Sequence, residues 1–466
     1  MPLEPSPWVP RVAKAGRPLY LAIADAIGED LRAGRLAPGQ RLPPQRQLAE
    51  HLGLDFTTVT RAYAEARRRG LVDARVGQGT FVRAAALSLP LARAGGLIDM
   101  TMNAPPEPAD EALLKRMRLG FATVAAAVDP RALLRYQDSA GATAERVIGA
   151  EWLQPRLPGL TPERVLVTAG AQGALLALTT LLARPGDTVL TEALTYPGFK
   201  ALAAQLGVRL VGVPMDEDGV DPDALRALCA EHRPRFLYCT PTLHNPTAVT
   251  WPLERRLAVI AVAREAGLPI VADDAYGMIA ASAPPPLAAL APELVYHVAG
   301  VAKCLAPGLR VAYLAAPDAR QAARLAAAVR ATTMMVSPLT AALTSLWIKD
   351  GTAQAVRDAI RAEAAARHRL AREILRLDGP VTAPEAFHLW LRLPSVWTRG
   401  ELATHLRGRG VAVAVSDAFA VPSSMAPPEA LRLCLGVAAD REELRRVLTL
   451  VAEALDLSPE IAEAVV

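Results

Sequence analysis

Cysteine is scarce in this chain: Cys229, Cys239, Cys304 and Cys434 lie scattered, without metal-ligand spacing. They read as small buried hydrophobes, and no metal is expected. Long apolar runs are missing too. No stretch of 18 or more uninterrupted apolar residues occurs, and the opening M-P-L-E-P-S-P has no basic segment followed by an apolar one. Neither a membrane span nor a secretory leader is expected, so the reading is cytoplasmic with no membrane partner. What is present is a chain of 466 residues, 52% hydrophobic and 21% charged. That balance marks a soluble globular protein long enough for about three domains. The net charge of +4 is unevenly placed: residues 1–83 hold 13 Lys+Arg against 8 Asp+Glu. The basic excess therefore belongs to the N-terminal part, which points to an anionic partner there.

Leu19, Ile23, Ile27 and Leu31 recur at helical spacing, and Gly34 with Pro38-Gly39 stops that helix. A second helix fits Pro44 to Leu52 before Gly53, and a third fits Phe56 to Arg69 after Asp55, a good N-cap. Leu71 to Val76, Gly77-Gln78-Gly79 and Thr80 to Val82 then read as a glycine-tipped hairpin. Three helices and a hairpin make a winged helix-turn-helix. Its third helix suits a DNA major groove, with the wing against the backbone or minor groove. Thr57, Thr58 and Arg61 stand at the start of that helix, while Arg67-Arg68-Arg69 also suit a solvated helix end. The runs G-R-L-A-P-G-Q-R-L-P-P-Q-R-Q-L-A, T-T-V-T-R-A-Y and G-Q-G-T-F-V resemble the GntR-family DNA-binding domain. The resemblance implies a double-stranded DNA operator as partner and Arg46, Thr57, Thr58, Arg61 and Gly77 as contacts. Asp55-Phe56 stands where that family has Ser-Arg, which removes one positive contact.

This gives an expected division into residues 1–83, the winged helix-turn-helix, a short linker at 84–97, and a large remainder, 98–466. Arg83 to Gly96 lacks amphipathic periodicity and ends in Gly-Gly. Some 14 residues span about 50 Å at most, so movements of the large part should reach the head.

In the large part, short apolar runs alternate with helical patterns. Strands are expected at 165–168, 188–191, 209–213, 236–239, 269–272, 295–298 and 311–314, with helices at 172–182, 199–206, 221–229 and 252–266. This is the pattern of a mainly parallel α/β sheet that binds ligands beyond its carboxyl strand ends. Chemistry-bearing residues fall at those ends. Gly170-Ala171-Gln172-Gly173 opens a helix and could cradle a phosphate. The next ends carry T-Y-P-G-F with Tyr196, T-P-T-L-H-N-P-T with Asn245, and V-A-D-D-A-Y with Asp273 and Tyr276. A turn follows with Lys303 in an apolar setting and Arg310 seven residues on. An apolar setting lowers an ammonium pKa and favours a nucleophilic amine. Each feature has a bland account as turn, cap or core edge, but together they meet the needs of pyridoxal 5'-phosphate. Lys303 would take the aldehyde and Asp273 the ring nitrogen. Asn245 and Tyr276 would serve the phenolic oxygen, Tyr196 the ring face, and Gly170 to Gln172 with Arg310 the phosphate.

The arrangement resembles class I aminotransferases of fold type I over residues 98 to 455, with a small C-terminal α/β domain from roughly 340 to 466. That resemblance implies Lys303, Asp273 and Tyr276 as catalytic, Tyr136 as a phosphate contact to the neighbouring subunit, and Arg432 as a substrate carboxylate clamp. Gly300 and Ala302 stand where the family often has serines. One phosphate hydrogen bond of about 0.5–1.5 kcal/mol is then missing, and weaker cofactor binding is expected. A GntR-like head on an aminotransferase-like body resembles the MocR regulators, head-to-tail homodimers in which the body is the sensor. The implied function is a regulator that senses an amino acid or amine effector as external aldimine, nucleoid-associated through DNA. An active aminotransferase with an accessory DNA-binding domain is the alternative, and a repressor responding to the cofactor itself is a third.

Overall fold

The computed structural model describes residues 8–10, 18–37, 39–75, 79–83, 97–377, 383–421 and 426–457. Gly77 and the linker from 84 to 96 lie outside the described residues. The chain divides into two compact units, Met1–Gly95 and Gly96–Val466.

The first unit holds α1 (Leu19–Arg32), α2 (Gln45–Leu52), α3 (Phe56–Arg68) and the antiparallel pair β1 (Val72–Arg75) and β2 (Gly79–Val82). Gly53 ends α2 at a φ of 62°, a left-handed turn that suits glycine. Asp55 caps α3 by accepting from the Thr57 N–H. Val59, Ala62, Tyr63 and Ala66 make one buried stripe on α3 and meet Ile23 and Ile27 of α1, both fully buried. Each such large apolar side chain contributes about 1.5–3 kcal/mol. The wing is tied to the chain before α2: Leu42 N–H donates to Thr80 O at 2.8 Å and Val82 N–H to Gln40 O at 2.8 Å.

The second unit is built on a seven-stranded sheet in the order Val165–Thr168, Ala312–Ala315, Val295–Gly300, Ile270–Asp273, Leu237–Cys239, Thr188–Glu192, Arg209–Val213. Ala312–Ala315 runs antiparallel to both neighbours and every other pairing is parallel. Successive residues feed two cores. Val165, Leu190, Leu237 and Ile270 enter one, while Leu166, Val189, Tyr238 and Val271 enter the other. Side chains alternate across a strand, so a sheet covered on both faces favours apolar residues on both sides of each strand. That is why these strands read as continuous apolar runs.

A third core joins Met100 to Leu431, Leu433, Leu444, Val447 and Val451. It lies between helix Arg441–Asp456 and a three-stranded sheet of His388–Arg392, Ala430–Cys434 and Ala414–Val415. Helix Thr352–Ile374 links cores: Val356 and Ile360 pack in the first, Leu370 and Ala371 in the third. Its 23 residues span about 35 Å at 1.5 Å per residue. Strand Ile98–Asp99 pairs in parallel with Val411–Ala412, 313 residues away in sequence at each pairing. Cys239, Cys304 and Cys434 are buried as expected, whereas Cys229 is only half-buried, because it lies on the outer helix Pro222–His232.

Candidate functional site

Side chains that follow the carboxyl ends of the parallel strands gather in one region. Asp273 ends Ile270–Asp273 and is buried, with its Oδ2 accepting from Tyr238 O–H at 3.0 Å. Tyr238 is held by stacking on Phe199, ring centroids 3.8 Å apart. Burial raises the Asp273 carboxyl to about 6, opposed by the Tyr238 hydrogen bond. Its Oδ1 is buried with no hydrogen-bond partner. A buried orphan acceptor costs about 1–3 kcal/mol, and a cationic ring N–H placed there would satisfy it. Adjacent Asp274 points into different surroundings: Arg156 Nη2 lies at 3.5 Å and His297 Nε2 at 3.8 Å. Burial works to raise its pKa, but the His297 imidazole, the Arg156 and Arg256 guanidiniums and a Thr242 hydrogen bond together lower it. The two neighbours are thus chemically distinct.

Lys303 sits in the turn after Val295–Gly300, half-buried, with Nζ reaching inward to donate to Asn103 O. Burial brings its amine down to about 8. Asn103 Nδ2 donates in turn to Tyr276 O–H at 2.7 Å. Tyr276 is buried beside Phe387 and His388, and burial raises its phenol. Arg432, 3% exposed on Ala430–Cys434, donates from Nη1 to Asn245 Oδ1 at 2.9 Å and from Nη2 to Thr101 O. A guanidinium can only donate, so Asn245 must turn its oxygen toward Arg432 and leave its NH2 free as a donor. That orientation suits a phenolate oxygen. Arg432 also lies over the Phe419 ring, 5.1 Å from its centroid.

The phosphate end is built from backbone. Helix Gly170–Leu182 begins at Gly170, whose φ is 74°. A Cβ there would stand 3.1 Å from Arg310 Nη2, so the missing side chain lets the guanidinium close on the helix N-terminus. Arg310 itself is held at φ 52°, a left-handed conformation costing a non-glycine residue about 1–2 kcal/mol. Gln172 donates to Gly198 O at 2.9 Å and keeps a buried Oε1 without a partner. Gly300 approaches Ala171: a Cβ on it would meet the Ala171 Cβ at 3.4 Å, so the backbone there leaves room for a Cβ. Tyr196 precedes helix Pro197–Gln205 and is half-buried over Gly198, where a Cβ would fall 2.3 Å from its ring.

These residues fit pyridoxal phosphate: an orphan carboxylate oxygen for the ring nitrogen, a depressed lysine amine for the aldehyde, and a glycine-opened helix end with Arg310 for the phosphate. Tyr136 stands apart from them, 77% exposed. Sequence reasoning missed Asn103, which lies 200 residues before Lys303. It also missed Tyr238 and Glu192. Glu192 is a fully buried carboxyl that accepts from Thr240 N–H at 2.7 Å. No local motif marks them. A charged residue ending the apolar run Thr188–Glu192 was the one available signal for Glu192.

On the first unit, Thr57 and Arg61 are exposed, and Thr58 half-exposed, along one end of α3. Arg46 lies over the Phe56 ring, 5.8 Å from its centroid, so the phenylalanine in place of the family's arginine serves as a platform for another. A surface hollow of roughly 340 Å³ between them is lined by Arg41, Arg46, Phe56 and Gly79. Arg68 and Arg69 both bond Glu65, and Arg69 also bonds Asp25. Those two charges are committed within the head.

Residues 96–451 match the model of aminotransferase class I and II, and residues 19–82 that of bacterial regulatory proteins of the gntR family. The chain is 29% identical over 456 residues to the HTH-type transcriptional regulator YdeF of Bacillus subtilis, covering 97% of each. It is 31% identical over 441 residues to the HTH-type transcriptional regulator TauR of Rhodobacter capsulatus, covering 85% of this chain and 88% of TauR. Among solved structures, it resembles LysN, an alpha-aminoadipate aminotransferase from Thermus thermophilus complexed with N-(5'-phosphopyridoxyl)-L-leucine. The identity is 27% and the TM-score 0.68, over 80% of this chain and 94% of LysN.

Proposed function

We propose, for a chain that belongs to the aminotransferase class I and II family and carries a gntR-family head, that it is a pyridoxal-phosphate-dependent transcription regulator whose body senses an amino acid or amine. When bound, the cofactor supplies an aldehyde that captures primary amines and a ring that draws electrons. Lys303 would anchor it, with Asp273 Oδ1 holding the ring N–H. The Asn245 amide and Tyr276 hydroxyl would lie at the phenolic oxygen, Tyr196 at the ring face and Arg310 with Gly170–Gln172 at the phosphate. Arg432 would take the effector's carboxylate, and Tyr136 would reach the phosphate of the other subunit in a head-to-tail homodimer. The single observation that carries this reading is the joining, in one chain, of an exposed Arg61–Thr57 helix face to the Lys303–Asp273 site. We place it in the bacterial cytoplasm, at the nucleoid through its DNA contacts.

A mobility shift on DNA from the gene's own upstream region, with and without pyridoxal phosphate and with a panel of L-amino acids, tests it. At least one amino acid should change the affinity of the cofactor-loaded protein, and none should change that of the cofactor-free protein. No binding to that or any other promoter fragment would overturn the reading. In the same assay Arg61→Ala should weaken binding about tenfold, the size of one lost base or phosphate contact. Unchanged affinity would remove α3 as the reading helix.

The second reading is an active aminotransferase, favoured by the presence together of Lys303, Asp273 and Arg432. Release of a 2-oxo acid in a single turnover after adding an amino acid would support it.

A further inference from the structure

The amino-acid end of the site is filled by the chain itself. Thr101 O accepts from Arg432 Nη2 and Asn103 O from Lys303 Nζ, while Asn103 Nδ2 holds Tyr276. Arg432 and Tyr276, and Lys303 before it anchors a cofactor, are thus engaged by residues 101–103. Arg432 Nε remains buried with no partner. A carbonyl oxygen offers one acceptor site in reach, whereas a carboxylate presents two and carries charge. A carboxylate can therefore bridge Nε and Nη2 in a bidentate pair of opposite charges, where the carbonyl makes a single bond to the guanidinium. The segment is also well placed to carry a signal. Ile98 N–H donates to Gly410 O at 2.9 Å and Met100 N–H to Ala412 O at 2.8 Å, and the chain before Leu97 leads to the head.

We infer that residues 101–103 are a built-in competitor for the Arg432 subsite, which an α-amino carboxylate must displace, and that this displacement shifts the segment adjoining the head's linker. The inference rests on the regulator reading for its purpose, though not for its geometry. It separates effectors by class: amines with a carboxylate release the segment, and simple amines leave Thr101 O on Arg432.

The experiment is hydrogen exchange on the cofactor-loaded full chain, read at the Met100 and Ala104 amides. Asn103→Ala, which removes the bond to Tyr276, should speed exchange there about tenfold, and so should Arg432→Ala. In the native protein, at least one L-amino acid of a proteinogenic panel should speed it more than the amine left by its decarboxylation. That difference should vanish in Arg432→Ala. If neither variant changes exchange at these amides, or no acid acts more strongly than its amine, the inference falls. The mobility shift on the same samples separates the two claims. Amino-acid-dependent DNA binding with unaltered exchange removes the competitor and keeps the regulator. Altered exchange without DNA binding does the reverse.

Discussion

Lys303→Ala protein separated from excess pyridoxal phosphate is expected to carry no visible band, while the native chain keeps one that borohydride removes. Of the groups gathered at the site, Lys303 alone carries an amine, and its Nζ already reaches inward to Asn103 O. Burial has brought the amine down to about 8. At pH 7 about one amine in ten is then neutral, against roughly one in three thousand for an ordinary lysine. Cofactor uptake by the native protein should therefore quicken about tenfold per pH unit below 8 and level off above it. A band in the alanine variant, or an uptake rate still climbing well above pH 9, would show that another amine is used. Circular dichroism of the variant separates lost chemistry from lost folding.

Glu192→Gln should make the protein more stable, and more so as pH rises. Glu192 is fully buried, its Oε1 takes the Thr240 N–H, and its Oε2 has no partner. His244 Nε2 lies 3.8 Å away but bonds Leu194 O at 3.0 Å. Burial lowers that imidazole to about 3 and raises the Glu192 carboxyl to about 8. Both groups are neutral at pH 7, so their approach is not an ion pair. Folding takes up a proton at Glu192: its folded value lies above the unfolded 4.5. Its contribution is fully present below pH 4.5 and is lost as pH rises toward 8. The loss amounts to about 3 kcal/mol at pH 7 and less than about 1 kcal/mol near pH 5. Glutamine keeps the carbonyl acceptor and never ionises. Thermal midpoints at pH 5 and pH 7.5 should diverge between the two proteins, and an equal shift at both would refute the assignment.

Much of this was legible in the chain. The winged head came from glycine and Asp55 punctuation around short amphipathic stripes, because caps and turns are set by residues adjacent in sequence. The seven strands of the large sheet were read within a residue or two, since strands covered on both faces are predominantly apolar. Boundaries moved where a tertiary partner extended an element: Val295–Gly300 runs two residues past its expected end because Ala312 lies opposite Gly300. The C-terminal core was hardly legible. Met100 packs with residues more than 300 positions later, and Ile98–Asp99 is a strand only because Val411–Ala412 lies beside it.

By itself the sequence determined which groups are available: one lysine in an apolar turn, a carboxylate and a tyrosine three residues apart, an arginine fork after a proline-glycine turn, and a basic helical head. Local rules and residue chemistry suffice for that. Only the tertiary structure decided how they face one another. It left Asp273 Oδ1 without a partner, turned the Asn245 oxygen to Arg432, and laid Thr101 and Asn103 across the groups a ligand would meet. Those contacts join residues up to 331 positions apart. They follow from packing three cores together, which no stretch of sequence encodes alone.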